Sequence, residues 1–128
     1  MRSTTQKGAS AMGNPIVHWE LIVSDVAKAS DFYSKVFDWK IEDNPVFPGY
    51  PMVDPGKEPG GAMMAKPETA PAYTINVYFG VEDLEQTLAR AAALGATVLV
   101  QPMPIEGFGA WAMFADPDGI PVGLFQSA

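Results

Sequence analysis

At 128 residues the chain has the length of one domain, and its 48% apolar content is that of a globular protein rather than a disordered one. A formal net charge of −7 disfavours nucleic acid and anionic membrane surfaces as partners. The absence of Cys removes disulfides, thiolate metal sites and a Cys nucleophile, and no apolar run approaches a membrane span.

Residues 1–13, MRSTTQKGASAMG, are small and polar and lack the apolar centre of a secretory signal, which predicts a disordered tail on a cytoplasmic protein. The stretch PIVHWELIVSD at 15–25 is rich in β-branched and aromatic residues, so it predicts a strand with His18, Glu20 and Ile22 on one face. A helix is expected over Val26–Phe37, where Val26, Ala29, Phe32 or Tyr33, and Val36 recur at helical spacing and Ser24 or Asp25 can cap the first turn. Short strands follow around 39–42, 50–53 and 60–65, separated by Pro45, Pro48, Pro55 and Pro59, which cannot donate into a ladder.

The second half has the same order. In AYTINVYFGVEDLEQTLARAAALGATVLVQP the pattern reads strand, helix, strand; Asp83 is the expected cap with Gln86 three residues on, and Gly95 is the stop. GAWAMFA and IPVGLFQ are two further strands. An offset of 62 relates Asp54, Pro55, Pro59 and Gly61 to Asp116, Pro117, Pro121 and Gly123, and an offset of 58 relates the opening strands, His18 to Asn76 among them. The chain is therefore a duplication: two strand–helix–three-strand modules, residues 14–66 and 73–127, joined by a linker at 67–72. One such module cannot cover both faces of its sheet, so two must pair.

Three stretches, HWELIVSDVAKASDFYSKVFDW, VEDLEQTLARAAALGA and FADPDGIPVGLFQ, carry a resemblance to the vicinal oxygen chelate superfamily of glyoxalases, bleomycin-resistance proteins and extradiol dioxygenases. The resemblance covers roughly residues 15 to 127. It implies an α+β fold of two βαβββ modules whose mixed sheet curves into an open, barrel-like cup. It also implies four metal-ligand positions: a His seven residues before each helix-starting Asp, and an acid in the last strand of each module. Here these fall on His18, Asn76, Gly61 and Gly123. Only His18 is an ordinary ligand; where the metal enzymes place carboxylates, this sequence has Gly.

Divalent ions usually take three or four protein ligands of N or O type. Glu20, on the same strand face as His18, gives an altered set of His18, Glu20 and Asn76 as the alternative to a metal-free His18 satisfied by hydrogen bonds. Glu20 itself reads either as a general base raised by burial or as a structural polar group. Strand alternation under the resemblance directs His18, Glu20, Asn76, Tyr78, Gly123 and Phe125 inward, with Trp111, Met113, and Met52, Met63 or Met64 completing the wall. That mixture is the usual make-up of a small-molecule pocket.

The resemblance thus implies a protein binding a small apolar or aromatic molecule in its cup without a metal, through His18, Glu20, Asn76, Tyr78, Trp111, Met113 and Phe125. The alternative is a glyoxalase-like lyase or isomerase, or a dioxygenase-type enzyme. It would use a rebuilt divalent metal site at His18 or a catalytic acid–base pair of His18 and Glu20. A homodimer is expected on family grounds, and the exposed edge strands of a half-closed cup favour it.

Overall fold

The computed structural model describes residues 13–70 and 73–128. The expected tail, apart from Gly13, and residues Pro71 and Ala72 of the expected linker lie outside the described residues. The described residues divide into two compact units: those within Val17–Val77, and Tyr78–Ala128 together with residues 13–16.

In the 17–77 unit, β1 (Ile16–Val23) leads into α1 (Val26–Phe37), then β2 (Lys40–Glu42), β3 (Met52–Asp54) and β4 (Gly61–Ala65). The helix starts where Asp25 turns extended and its carboxylate accepts from Lys28 N at 3.0 Å, satisfying a donor the helix itself cannot. It ends at Asp38, whose φ of 57° lies in the left-handed region. The strands run in the order β2-β3-β4-β1, antiparallel except for the parallel β4–β1 pair. Leu21, Val53 and Met63 form the core under α1, joined by Trp19, Val23, Val26, Ala29, Tyr33, Trp39 and Ile41. Odd positions of β1 thus face the helix, and His18, Glu20 and Ile22 face away from it. Tyr33 rather than Phe32 packs inward, and Val36 is exposed. The inward stripe runs through Val26, Ala29 and Tyr33, and Val36 falls on its flank.

The second unit repeats this. Strand β5 (Thr74–Gly80), which starts before the unit boundary, precedes α2 (Leu84–Ala93), β6 (Thr97–Ile105), β7 (Gly109–Ala115) and β8 (Pro121–Ser127). Asp83 caps α2 by accepting from Gln86 N at 3.0 Å, and Gly95, at φ 107°, ends it as expected. The strand order is β5-β8-β7-β6, again with one parallel pair, β5–β8. Val81, Leu84, Leu88, Ala112 and Leu124 make the core under α2. Edge strand β6 has Pro102 and Pro104 and two register shifts, features that blunt an edge against further pairing. No helix among the described residues is long and apolar enough to cross a membrane.

Both copies of the repeated Asp-Pro phrase are turns built by the Asp side chain. Asp54 Oδ1 accepts from Gly56 N at 2.8 Å, and Asp116 Oδ1 accepts from Asp118 N and Ile120 N, each at 2.9 Å.

Candidate functional site

Glu20 sits in mid-strand on the face of β1 turned away from α1, and only 6% of it is exposed. Burying a carboxylate is costly unless donors surround it. Two do so: Tyr50 Oη donates to Oε2 at 2.7 Å, and Asn76 Nδ2 donates to Oε1 at 3.3 Å. The same tyrosine hydroxyl lies 2.8 Å from His18 Nε2. His18, Tyr50, Glu20 and Asn76 are therefore one hydrogen-bonded row within the 17–77 unit. Burial holds the His18 imidazole below its ordinary 6.5, and the negative charge of Glu20 offsets part of that.

Apolar side chains surround this row on the same face. Met52 stands opposite Ala62 across the β3–β4 ladder, and Ala62 and Met64 stand beside Glu20 and Ile22 across β4–β1. Phe47 lies edge-on to Tyr50, ring centres 6.5 Å apart. Met63 does not belong to this wall. It points the other way, fully buried under α1, where Ser30 Oγ donates to its sulfur at 3.7 Å.

Of the residues expected from sequence, the structure brings His18, Glu20 and Asn76 together. Tyr78, Trp111, Met113 and Phe125 belong to the other unit, where they share the sheet face away from α2. Tyr78 stands beside Gly123, which also pairs with Met113, and Trp111 pairs with Phe125. The Tyr78 and Trp111 rings meet edge to face with centres 6.4 Å apart. An open groove of 470 Å³ in this unit, lined by Phe79, Val81, Arg90, Leu94, Phe114 and Leu124 among others, lies on the α2 side and holds none of these four. Tyr50 is the member of this hydrogen-bonded row that the sequence reading missed. Its signal was a polar aromatic in the Pro- and Gly-rich segment FPGYPM, ahead of a strand, with no motif to mark it.

Gly61 requires a correction. The β4–β1 register pairs it with Trp19, not with Glu20, so it faces α1. A Cβ there would run into the indole of Trp19, which lies flat against the strand and donates from Nε1 to Pro59 O at 3.0 Å. The place beside Glu20 belongs to Ala62. Gly123 does face away from its helix, and there the ring of Tyr78 covers it.

The family's metal can now be tested against these residues. The two acid positions offer no donor atom, whether read at Gly61 and Gly123 or, by register, at Ala62. In the altered set, both oxygens of Glu20 accept from Tyr50 and Asn76, and Asn76 presents its amide nitrogen, which does not coordinate cations. Among the described residues, no group of three or more His, Cys, Asp or Glu side chains gathers as a metal site. The residues present do not fit a divalent ion.

Comparison with known proteins gives the family. A family model described as the Glyoxalase/Bleomycin resistance protein/Dioxygenase superfamily matches residues 15–124. A Mycobacterium tuberculosis protein named as a candidate glyoxylase, CFP32, is 30% identical over 114 residues, covering 84% of this chain and 44% of that protein. The anthracycline biosynthesis protein DnrV of Streptomyces peucetius is 27% identical over 118 residues, covering 80% of this chain and 43% of that one. The chain thus spans less than half the length of these curated relatives. Among solved structures, a hypothetical protein from Bacillus halodurans C-125 superposes with a TM-score of 0.67 at 16% identity, over 91% of this chain and 96% of that one, a likeness of fold alone. The chain belongs to the Glyoxalase/Bleomycin resistance protein/Dioxygenase superfamily.

Proposed function

We propose that this protein binds a small apolar or aromatic molecule without a metal, and that the His18–Tyr50–Glu20–Asn76 row orients that molecule on the β1 face. The observation that carries the reading is the use of Glu20: its oxygens accept from Tyr50 and Asn76, with Ala62 alongside where a metal site would want another donor. A polar row bordered by Ile22, Met52, Met64 and Phe47 has the composition of a ligand site, a few fixed polar groups among apolar ones. Methionine adapts to irregular shapes. The second unit offers an aromatic face of its own, Tyr78, Trp111, Met113 and Phe125. A relative named for anthracycline biosynthesis supports the aromatic class.

Two titrations test this. Zinc, nickel and manganese should give no one-to-one binding isotherm. An anthraquinone dye should bind saturably and quench tryptophan emission. Tight one-to-one ion binding that His18→Ala removes would overturn the metal-free reading. A second reading, an acid–base enzyme, is favoured by one feature: the unbroken chain from imidazole through phenol to carboxylate at 2.8 and 2.7 Å. It requires that His18→Ala and Glu20→Gln each abolish turnover while the fold survives. A homodimer belongs to the proposal as well. Leu99, Met103 and Phe108 are exposed on and beside edge strand β6, and sedimentation equilibrium should return twice the chain mass.

A further inference from the structure

We infer that Tyr50 is a positioning residue that anchors the Glu20 carboxylate and commits the His18 imidazole to a single tautomer, with its hydrogen on Nε2. The inference deepens the binding reading above and rests on it for its functional meaning. Its physical basis is separate.

A tyrosine hydroxyl owns one hydrogen. Two acceptors compete for it: a carboxylate oxygen at 2.7 Å and an imidazole nitrogen at 2.8 Å. The ionised carboxylate is the stronger acceptor, because charge-assisted bonds are roughly twice as strong as neutral ones. Once the hydrogen points at Glu20, Oη faces His18 with a lone pair only. The contact at Nε2 is then favourable only if that nitrogen donates. Nδ1 consequently carries the lone pair of the neutral ring, and any partner it has, from protein or ligand, must be an O–H or N–H donor.

Tyr50 is held firmly enough for this task. Asn44 Oδ1 accepts from Val46 N and Phe47 N at 2.9 and 3.2 Å, and Tyr50 N donates to Phe47 O at 3.2 Å. Gly49 takes φ 81°, and the Pro51 that follows restricts Tyr50 to extended backbone and accepts from Met63 N at 3.1 Å. The hydroxyl is thus presented by a loop tied at both ends.

The chain has one histidine, so its ring nitrogens can be read without assignment. Protein with ¹⁵N-labelled histidine, ligand-free and at a pH where the ring is neutral, should show widely split ring signals with Nε2 protonated. In Tyr50→Phe the preference should be lost and the two signals should move towards each other. In Glu20→Leu the Tyr50 hydrogen has no carboxylate to meet, so the preference for Nε2–H should fall. A protonated Nδ1 or an even mixture in the wild type would overturn the inference, as would an unchanged pattern in a folded Tyr50→Phe. If neither variant folds, the wild-type spectrum decides alone. Because no ligand is present, failure here removes the role of Tyr50 and leaves the binding reading standing. Failed dye binding does the opposite.

Discussion

In the 17–77 unit, β4 sets Gly61 beside Trp19 on the helix side of the sheet, while in the second unit β8 sets Gly123 beside Tyr78 on the side away from the helix. The two glycines occupy the same place in a repeated phrase and serve the same steric end, letting an aromatic ring lie on bare backbone. Yet they do so on opposite faces. The difference is one residue of register, and because side chains alternate along a strand, one residue exchanges the faces. The opening strands diverge too. At the offset that relates His18 to Asn76, Glu20 corresponds to Tyr78, so one copy carries a buried carboxylate where the other carries a phenol ring. A duplicated scaffold has kept its turns and caps and specialised its faces, polar in one unit and aromatic in the other.

The sharpest way to test the face assignment is at neighbouring methionines. Met63 is fully buried under α1, so Met63→Ala should cost about 2–5 kcal/mol through lost burial and a residual cavity. Met64, one residue on and facing away, should cost well under half of that, and urea unfolding of both variants would show it. Equal losses would mean that β4 is not in this register. Next in size is Gly61→Ala, which drives a methyl into the Trp19 ring and should cost about 1–3 kcal/mol as an overpacking change. Gly123→Ala drives a methyl into the Tyr78 ring in the same way and should cost about as much. Smaller still is the turn pair. Asp116→Ala loses two acceptor contacts and should cost about 1 kcal/mol, judged by the loss of a helix cap, whereas Asp54→Ala, with one such contact, should cost a fraction of that.

Much of this architecture was legible in the chain because it is encoded locally. Asp25 and Asp83 announce both helices, Gly95 ends the second, and the Asp-Pro repeats mark the turns. Period-two alternation likewise placed His18 and Glu20 on one face. Two things were not legible. The assignment of Gly61 to the acid position beside His18 failed because an offset between copies counts residues and does not record which strand partner each one meets. Tyr50 escaped because its role comes from contacts 30 and 32 positions away in sequence, made by a loop whose composition signals only a turn. Register and long-range proximity belong to the folded chain.

The gentlest test of the polar unit is its pH dependence. Burial keeps the folded imidazole of His18 below its ordinary 6.5, so as pH falls below that value the unfolded chain takes up a proton that the folded chain does not. More protons bound to the unfolded state means stability that rises with pH. The contribution of His18 is therefore a loss that begins below pH 6.5 and stops growing once the folded ring also charges. Its slope cannot exceed about 1.4 kcal/mol per pH unit. Glu20 sets the lower edge of this window, because its charge favours the imidazolium and limits the depression. Urea midpoints for wild type and His18→Gln between pH 7.5 and pH 5 read the effect as the difference between the two curves. The wild type should lose more stability on acidification than His18→Gln, and Glu20→Gln should widen that loss. Parallel curves for wild type and His18→Gln would mean that the imidazole is not buried against its charged form, and that the polar face of this unit is wetter than the aromatic face of the other.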